Sequence, residues 1–238
     1  MLVTRKHFLS AIPGFGCMAF GRDSTVHRST HFVSGQTKIL VDEFSPATGP
    51  RTRLPAILIL SGSGGLKPQS PRYRGQAIEL AERGYGVYLP HYIDATRGSV
   101  SNPEAKYTIW VRAVHDSITS TLAATRNGPV ALIGYSLGAS VALAEASQDT
   151  RVKGVISWSG SMPDEYARSA TALPPLLIIH GEKDDVIPIA DAVQLTKLCD
   201  LLKGRCEFQP FKGESHVFSD AAVRTANELI WKFLESLS

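Results

Sequence analysis

At 238 residues the chain suits one large α/β domain better than two. Hydrophobic residues make up 43% and charged residues 20%, which allows a sizeable core and excludes a chain without fixed structure. The formal charge of +3 is small and the Lys and Arg residues are scattered, which excludes a polybasic nucleic-acid or membrane binder, and no apolar run reaches membrane-span length.

Residues 1–30 read differently from the rest. A basic stretch, Thr4-Arg5-Lys6-His7-Phe8-Leu9, leads into a mildly apolar segment ending at Phe20, and Ala19-Phe20-Gly21 offers small residues where a signal peptidase inspects the chain. That is the layout of an export signal, periplasmic or secreted. The basic stretch resembles a twin-arginine signal with Lys6 in place of the second arginine. Pro13, Gly14 and Gly16 interrupt the apolar run, so the alternative is a flexible extension on a cytoplasmic protein. Cys17 lacks the upstream aliphatic residue of a lipoprotein anchor. Residues 31–238 are expected to form the folded domain.

That domain alternates short apolar runs with longer amphipathic ones. Thr37 to Phe44 reads as the opening strand. Pro55 to Leu60 is almost wholly apolar, as a strand buried on both faces should be. Residues 70–83 have helical spacing with Gly84 as a stop, and Gly86 to Pro90 reads as a strand. After Asn102-Pro103 a long helix is expected, since Trp110, Val114, Ile118 and Leu122 recur every four residues. Then follow a strand at Val130 to Ile133, a helix from about Leu137, and a strand at Val152 to Trp158. An irregular stretch from Gly160 to Leu173 precedes a strand at Leu176 to His180. A helix, a short strand (Glu207 to Phe211) and a final helix (about Val217 to Leu237) close the order. Strands separated by helices imply a mostly parallel sheet covered on both faces, with ligands bound at the carboxyl ends of its strands. Cys199 and Cys206 flank the turn after the penultimate helix, where a disulfide would agree with an oxidising compartment and two thiols would not require one.

Gly134-Tyr135-Ser136-Leu137-Gly138 fits Gly-x-Ser-x-Gly, between an apolar strand and a small-residue helix. A sharp strand-to-helix turn there strains the serine and lifts its hydroxyl above the sheet, with helix N–H groups beside it. This unit resembles the nucleophile elbow of the α/β-hydrolase superfamily, and the resemblance runs from about residue 37 to the C-terminus. It implies a single-domain α/β-hydrolase fold and a catalytic order of serine, acid, histidine.

Of seven histidines, only His180 and His216 follow Ser136. His180 ends a buried strand and is expected to shape that strand end. His216, in Gly213-Glu214-Ser215-His216, resembles the superfamily's histidine loop and is the expected base. Gly181-Glu182-Lys183-Asp184-Asp185-Val186-Ile187-Pro188 resembles the acid loop and selects Asp184, leaving Asp185 solvated or capping the next helix. The resemblance also implies oxyanion donors at the backbone N–H groups of Leu137 and Ser63, the latter in Ser61-Gly62-Ser63-Gly64-Gly65. That glycine loop lacks the Lys-Ser/Thr ending of a phosphate-binding loop.

The minimal lid between Gly160 and Leu173, the stretch from Ala81 to Val87 and Leu89-Pro90-His91-Tyr92 resemble the dienelactone hydrolase family in particular. Founding members of that family use a cysteine nucleophile and a glutamate in the loop after the third strand. This chain has Ser136 and a Ser/Gly loop, so the fold and triad carry over and dienelactone as substrate does not. The expectation is a serine hydrolase acting on a small-molecule ester or lactone, without cofactor or metal, and without stable membrane insertion. Tyr92, Trp158, Met162 and Phe218 are candidate pocket residues, or core and rim residues. An acyltransferase or peptidase on the same triad, or a binding module without activity, are the alternatives.

Overall fold

A computed structural model describes residues 25–48, 54–66, 71–97, 102–125 and 128–237. The strands are β1 (Thr25–Ser34), β2 (Thr37–Pro46), β3 (Ala56–Leu60), β4 (Val87–Pro90), β5 (Val130–Tyr135), β6 (Val152–Trp158), β7 (Leu176–Gly181) and β8 (Cys206–Phe211). The helices are α1 (Pro71–Glu82), α2 (Pro103–Ala124), α3 (Leu137–Ala146), α4 (Asp164–Ser169), α5 (Ile189–Leu201) and α6 (Asp220–Glu235). One sheet runs in the order β1-β2-β4-β3-β5-β6-β7-β8, antiparallel at β1–β2 and β2–β4 and parallel elsewhere.

The unbroken apolar runs of β3, β5 and β7 have a direct cause: both faces of the sheet are covered. Leu58, Leu60, Leu132 and Ile178 point to one side, against Val114, Ile118 and Leu122 of α2 and the buried face of α3. Ile57, Ile59, Ile133 and Ile179 point to the other, against Leu80 of α1 and Ala226, Ile230 and Phe233 of α6. Each such aliphatic side chain contributes about 1.5–3 kcal/mol on burial. Helix α2 starts where Asn102 accepts the Glu104 amide and Pro103 takes the first turn, a donor-free position that suits proline.

Three elements differ from the sequence expectation. Strand β1 occupies residues 25–34, so regular structure reaches into the expected extension of residues 1–30. Only Phe32 and Ser34 of β1 are buried, because an edge strand with one open face carries little apolar alternation to read. Within the stretch from Gly160 to Leu173, Asp164–Ser169 forms the short helix α4, begun by Pro163. The last helix starts at Asp220 rather than Val217, since Ser219 accepts the Ala222 amide and caps it. The export segment and Cys17 lie outside the described residues.

After β3 the chain moves outward to β4 and then crosses back to β5 on the other side of β3. This reversal opens a crevice beyond the carboxyl ends of β3 and β5, the place where such sheets bind ligands.

Candidate active site

Ser136 stands at the turn between β5 and α3 with φ 52° and ψ −122°, in the left-handed half of the map that costs a non-glycine residue about 1–3 kcal/mol. The strain is locked in by crowding. A Cβ on Gly134 would strike backbone atoms of Gly138 and Ala139, and one on Gly138 would strike the Leu60 and Ser61 carbonyl oxygens. Glycine at both positions lets the turn, the helix and the end of β3 approach at backbone distance.

The last two strand-end loops bring the partners. His216 Nε2 lies 2.9 Å from Ser136 Oγ. His216 Nδ1 lies 2.8 Å from Asp184 Oδ2 and 3.0 Å from Oδ1, which holds the ring in one orientation. Asp184 Oδ1 also accepts the Val186 and Ile187 amides at 3.0 and 2.8 Å. Burial pushes the Asp184 carboxyl up, but the Ile187 amide, His216 and the Val186 amide outweigh it and hold its pKa below the ordinary aspartate value. Asp184 is thus an ionised, acceptor-only group facing an imidazole N–H. The chain Oγ–imidazole–carboxylate can take a proton from the serine and stabilise the imidazolium that results.

Asp185 is exposed, and Pro188 rather than Asp185 begins α5. His180 is wholly buried, with Nε2 2.8 Å from the Ile187 carbonyl oxygen, and so it shapes the acid loop. The histidine loop is clasped by Glu214, whose carboxylate accepts the Ser219 amide and hydroxyl at 2.7 and 2.8 Å. These two bonds hold the Glu214 pKa below the ordinary glutamate value, the amide contributing most.

A cleft of about 630 Å³ opens over Ser136 between α1 and α6. Trp158 and Phe218 line it, as the sequence suggested, with ring centroids 5.1 Å apart. Tyr73 and Tyr135 extend the aromatic wall, 5.3 Å from each other, and Tyr135 lies 5.0 Å from Trp158. Gln76 and Asn227 line its polar end, where Tyr135 donates to Gln76 Oε1 and Gln76 Nε2 donates to Asn227. Ser159 also lines the cleft, 2% exposed, with φ 50° and no partner for its hydroxyl among the described residues. Sequence reading passed over Tyr73, Gln76, Tyr135 and Asn227 because helix spacing marks only which residues are core-facing. Tyr135, inside the Gly-x-Ser-x-Gly motif, was the one with a signal.

Two suggested pocket residues belong elsewhere. Tyr92 is wholly buried beneath the loop after β3, and its hydroxyl donates to the Ser61 carbonyl at 2.7 Å. Met162 packs on the opposite side of the sheet beside α5 and lines a separate hollow with Gln194 and Leu198. Leu137 opens α3, so its N–H has no carbonyl four residues back within the helix and stands free beside Ser136. In the loop after β3, Gly62 is the residue set against Ser136: a Cβ there would lie 3.4 Å from Ser136 Cβ. Ser63 is exposed and does not line the cleft, because the loop turns outward after Gly62, where the Gly65 amide bonds back to the Gly62 carbonyl at 3.0 Å.

Away from the cleft, His115, Glu145 and Asp149 bring potential ligand atoms within 4.8 Å of one another. Arg151 already supplies a cation there, bonding both Asp149 oxygens at 2.6–2.9 Å. Cys199 and Cys206 face each other at disulfide distance, Cα atoms 6.3 Å apart. Among the described residues no helix is long and apolar enough to cross a membrane.

Comparison with known proteins bears on the fold and the family. The family model described as "Dienelactone hydrolase family" matches residues 44–233. Among solved structures, a dienelactone hydrolase from Anabaena variabilis superposes with a TM-score of 0.71 at 18% identity, covering 90% of this chain and 98% of that one. A dienelactone hydrolase-like promiscuous phosphotriesterase from metagenomic libraries gives 0.74 at 14% identity, covering 90% and 99%. Est1E from Butyrivibrio proteoclasticus gives 0.69 at 14% identity, covering 88% and 98%. At these identities the likeness is one of fold. No curated protein matches the chain in sequence.

Proposed function

The chain belongs to the dienelactone hydrolase family, and we propose that it is a serine hydrolase cleaving a carboxylic ester or lactone through an acyl-enzyme on Ser136. The observation that carries this reading is the unbroken hydrogen-bonded chain from Ser136 Oγ through His216 to Asp184, at the mouth of an aromatic cleft.

In the first half-reaction His216 Nε2 takes the hydroxyl proton as Ser136 Oγ adds to the carbonyl carbon. Asp184 keeps the Nδ1 proton in place and offsets the imidazolium charge. The carbonyl oxygen becomes an oxyanion beside the Leu137 N–H and the positive end of α3. The C–O bond to the leaving alkoxide then breaks, and that oxygen takes the proton from His216. In the second half, His216 deprotonates water, which adds to the acyl carbon; collapse returns the proton to Ser136 Oγ and frees the acid. A lactone follows the same steps with its leaving alcohol still tethered to the acyl group. Trp158, Phe218, Tyr73 and Tyr135 favour an ester bearing an apolar or aromatic group. The disulfide-distance pair Cys199 and Cys206 supports an exported setting, which is part of the same proposal.

A fluorophosphonate probe tests the core of this reading. Wild-type protein should be labelled and hydrolyse p-nitrophenyl esters, and Ser136→Ala should do neither. Labelling that survives in Ser136→Ala, or none in the folded wild type, would overturn it.

A further inference from the structure

We propose that the Tyr73 hydroxyl is a catalytic hydrogen-bond donor to the oxyanion, charged with that role by the backbone of the loop after β3. The inference rests on the serine-hydrolase reading above and adds a residue to it.

Two tyrosines hold consecutive residues of this loop, in opposite senses. Tyr92 donates its proton to the Ser61 carbonyl at 2.7 Å, from beneath, in full burial. Its hydroxyl hydrogen is spent on that bond. Tyr73 instead accepts the Gly62 amide at 3.0 Å. An amide N–H can only donate, so the phenol oxygen is the acceptor and its own hydrogen must point elsewhere. No described residue takes that hydrogen, and Tyr73 lines the cleft. The hydrogen is therefore available to whatever occupies the space over Ser136.

The position fits an oxyanion donor. The point where a Gly62 Cβ would stand is 3.7 Å from the Tyr73 hydroxyl and 3.4 Å from Ser136 Cβ. The serine and the phenol both lie within 4 Å of that point. Glycine at position 62 keeps that space open.

The same arrangement accounts for the Gly62 amide. The Gly62 amide is taken up by Tyr73, and Ser63 is exposed. In the proposed relay, Gly62 N–H polarises the Tyr73 O–H and Tyr73 contacts the oxyanion. Accepting a hydrogen bond makes a hydroxyl a stronger donor.

Tyr73 is held firmly enough for this task. Its neighbour Arg74 bonds the buried Asp42 of β2 at 2.7 Å, and Gln76, one helical turn on, receives the Tyr135 hydroxyl. The start of α1 is thereby fixed to both the sheet and the elbow, so the phenol needs no reorganisation when charge develops.

Steady-state kinetics on a p-nitrophenyl ester should show kcat lowered on the order of 10²-fold by Tyr73→Phe, as for loss of one oxyanion donor, with KM moved far less. Replacing Tyr73 by 3-fluorotyrosine and 3,5-difluorotyrosine supplies the second arm, at a pH where the phenols stay protonated. These analogues donate more strongly and accept more weakly. A donor to the oxyanion predicts kcat rising along the series; a residue that only props Gly62 predicts no rise. Ser136→Ala run in parallel keeps the two readings apart, since its activity or labelling bears only on the nucleophile. With Ser136 dependence intact, a folded Tyr73→Phe protein of unchanged kcat, or a flat or falling fluorotyrosine series, would overturn the role of Tyr73.

Discussion

Asp184 and Asp185 are adjacent and chemically identical, and the fold gives them opposite surroundings. Asp184 is 8% exposed and takes hydrogen bonds from His216 and two loop amides, while Asp185 is exposed. If Asp184 orients His216, Asp184→Asn should lower kcat on the order of 10⁴-fold, because an amide cannot accept the Nδ1 proton in the same way at both positions. Asp185→Asn should stay within about twofold, a surface change away from any bonded network. Measuring both variants on one ester decides the matter, and equal losses would remove Asp184 from its proposed role. The sign of its stability effect follows from the depressed pKa. The contribution is present above the unfolded aspartate range and disappears as pH falls through the folded value. Resemblance to the superfamily's acid and histidine loops, each a fixed step past a glycine at a strand end, is what singles out Asp184 and His216 in the sequence. It could not select Tyr73, whose role depends on which direction one hydroxyl hydrogen faces. Nor could it separate Tyr92 and Met162 from Trp158 and Phe218, because burial beneath a loop and exposure to a cleft leave the same apolar mark in a sequence.

Helix α3 carries the nucleophile at one end and an ionisable problem at the other. Glu145, in its last turn, is wholly buried, 2.9 Å from His115 Nδ1. Burial and then the nearby Asp149 carboxyl push its pKa up, against the pull of His115, and a negative charge at a helix C-terminus is disfavoured in any case. A carboxyl whose folded pKa exceeds its unfolded value stabilises the protein below the ordinary glutamate range and loses that contribution as pH rises through the folded value. Thermal melts of the wild type should therefore decline across that window above the ordinary glutamate range. The depressed pKa of Asp149 tilts stability the other way, but only at more acid pH. Glu145→Gln keeps the shape and cannot ionise, so its melting temperature should be flat there and exceed that of wild type at the alkaline end. A Glu145→Gln protein whose melting temperature declines as steeply as wild type would show that Glu145 stays charged. Periodicity displays α2, whose buried residues recur on helical spacing, whereas α3 is buried all round and is legible from its small residues after the Gly-x-Ser-x-Gly turn. Strand β1 was missed at the same level for the converse reason: at the sheet edge its polar residues, including His27 and Ser29 on Asp42, do the holding.

At the scale of the molecule, the first described residue, Thr25 at the start of β1, lies four residues past the Ala19-Phe20-Gly21 site suggested for a signal peptidase. Removal of residues 1–21 would leave β1 whole and would take Cys17 away, so the mature protein would hold two of the chain's three cysteines, Cys199 and Cys206. These two lie at disulfide distance across the turn between α5 and β8, where a Cβ on Gly204 would meet Cys199 Sγ. An odd thiol would be a liability in an oxidising compartment, and the proposed processing leaves none. Protein expressed with its leader and recovered from the periplasm or medium should have Arg22 as its first residue. Its intact mass should take up no alkylating reagent until reductant is added, and two equivalents afterwards. The staple closes a short loop, with a sequence separation of 7, and its reduction should lower unfolding free energy by about 2.5 kcal/mol in denaturant titration. Retention of Met1 on a chain confined to the cytoplasm would defeat the export proposal. Alkylation of both cysteines in the unreduced protein would separately defeat the staple, leaving the fold and the Ser136 chemistry to stand on their own tests.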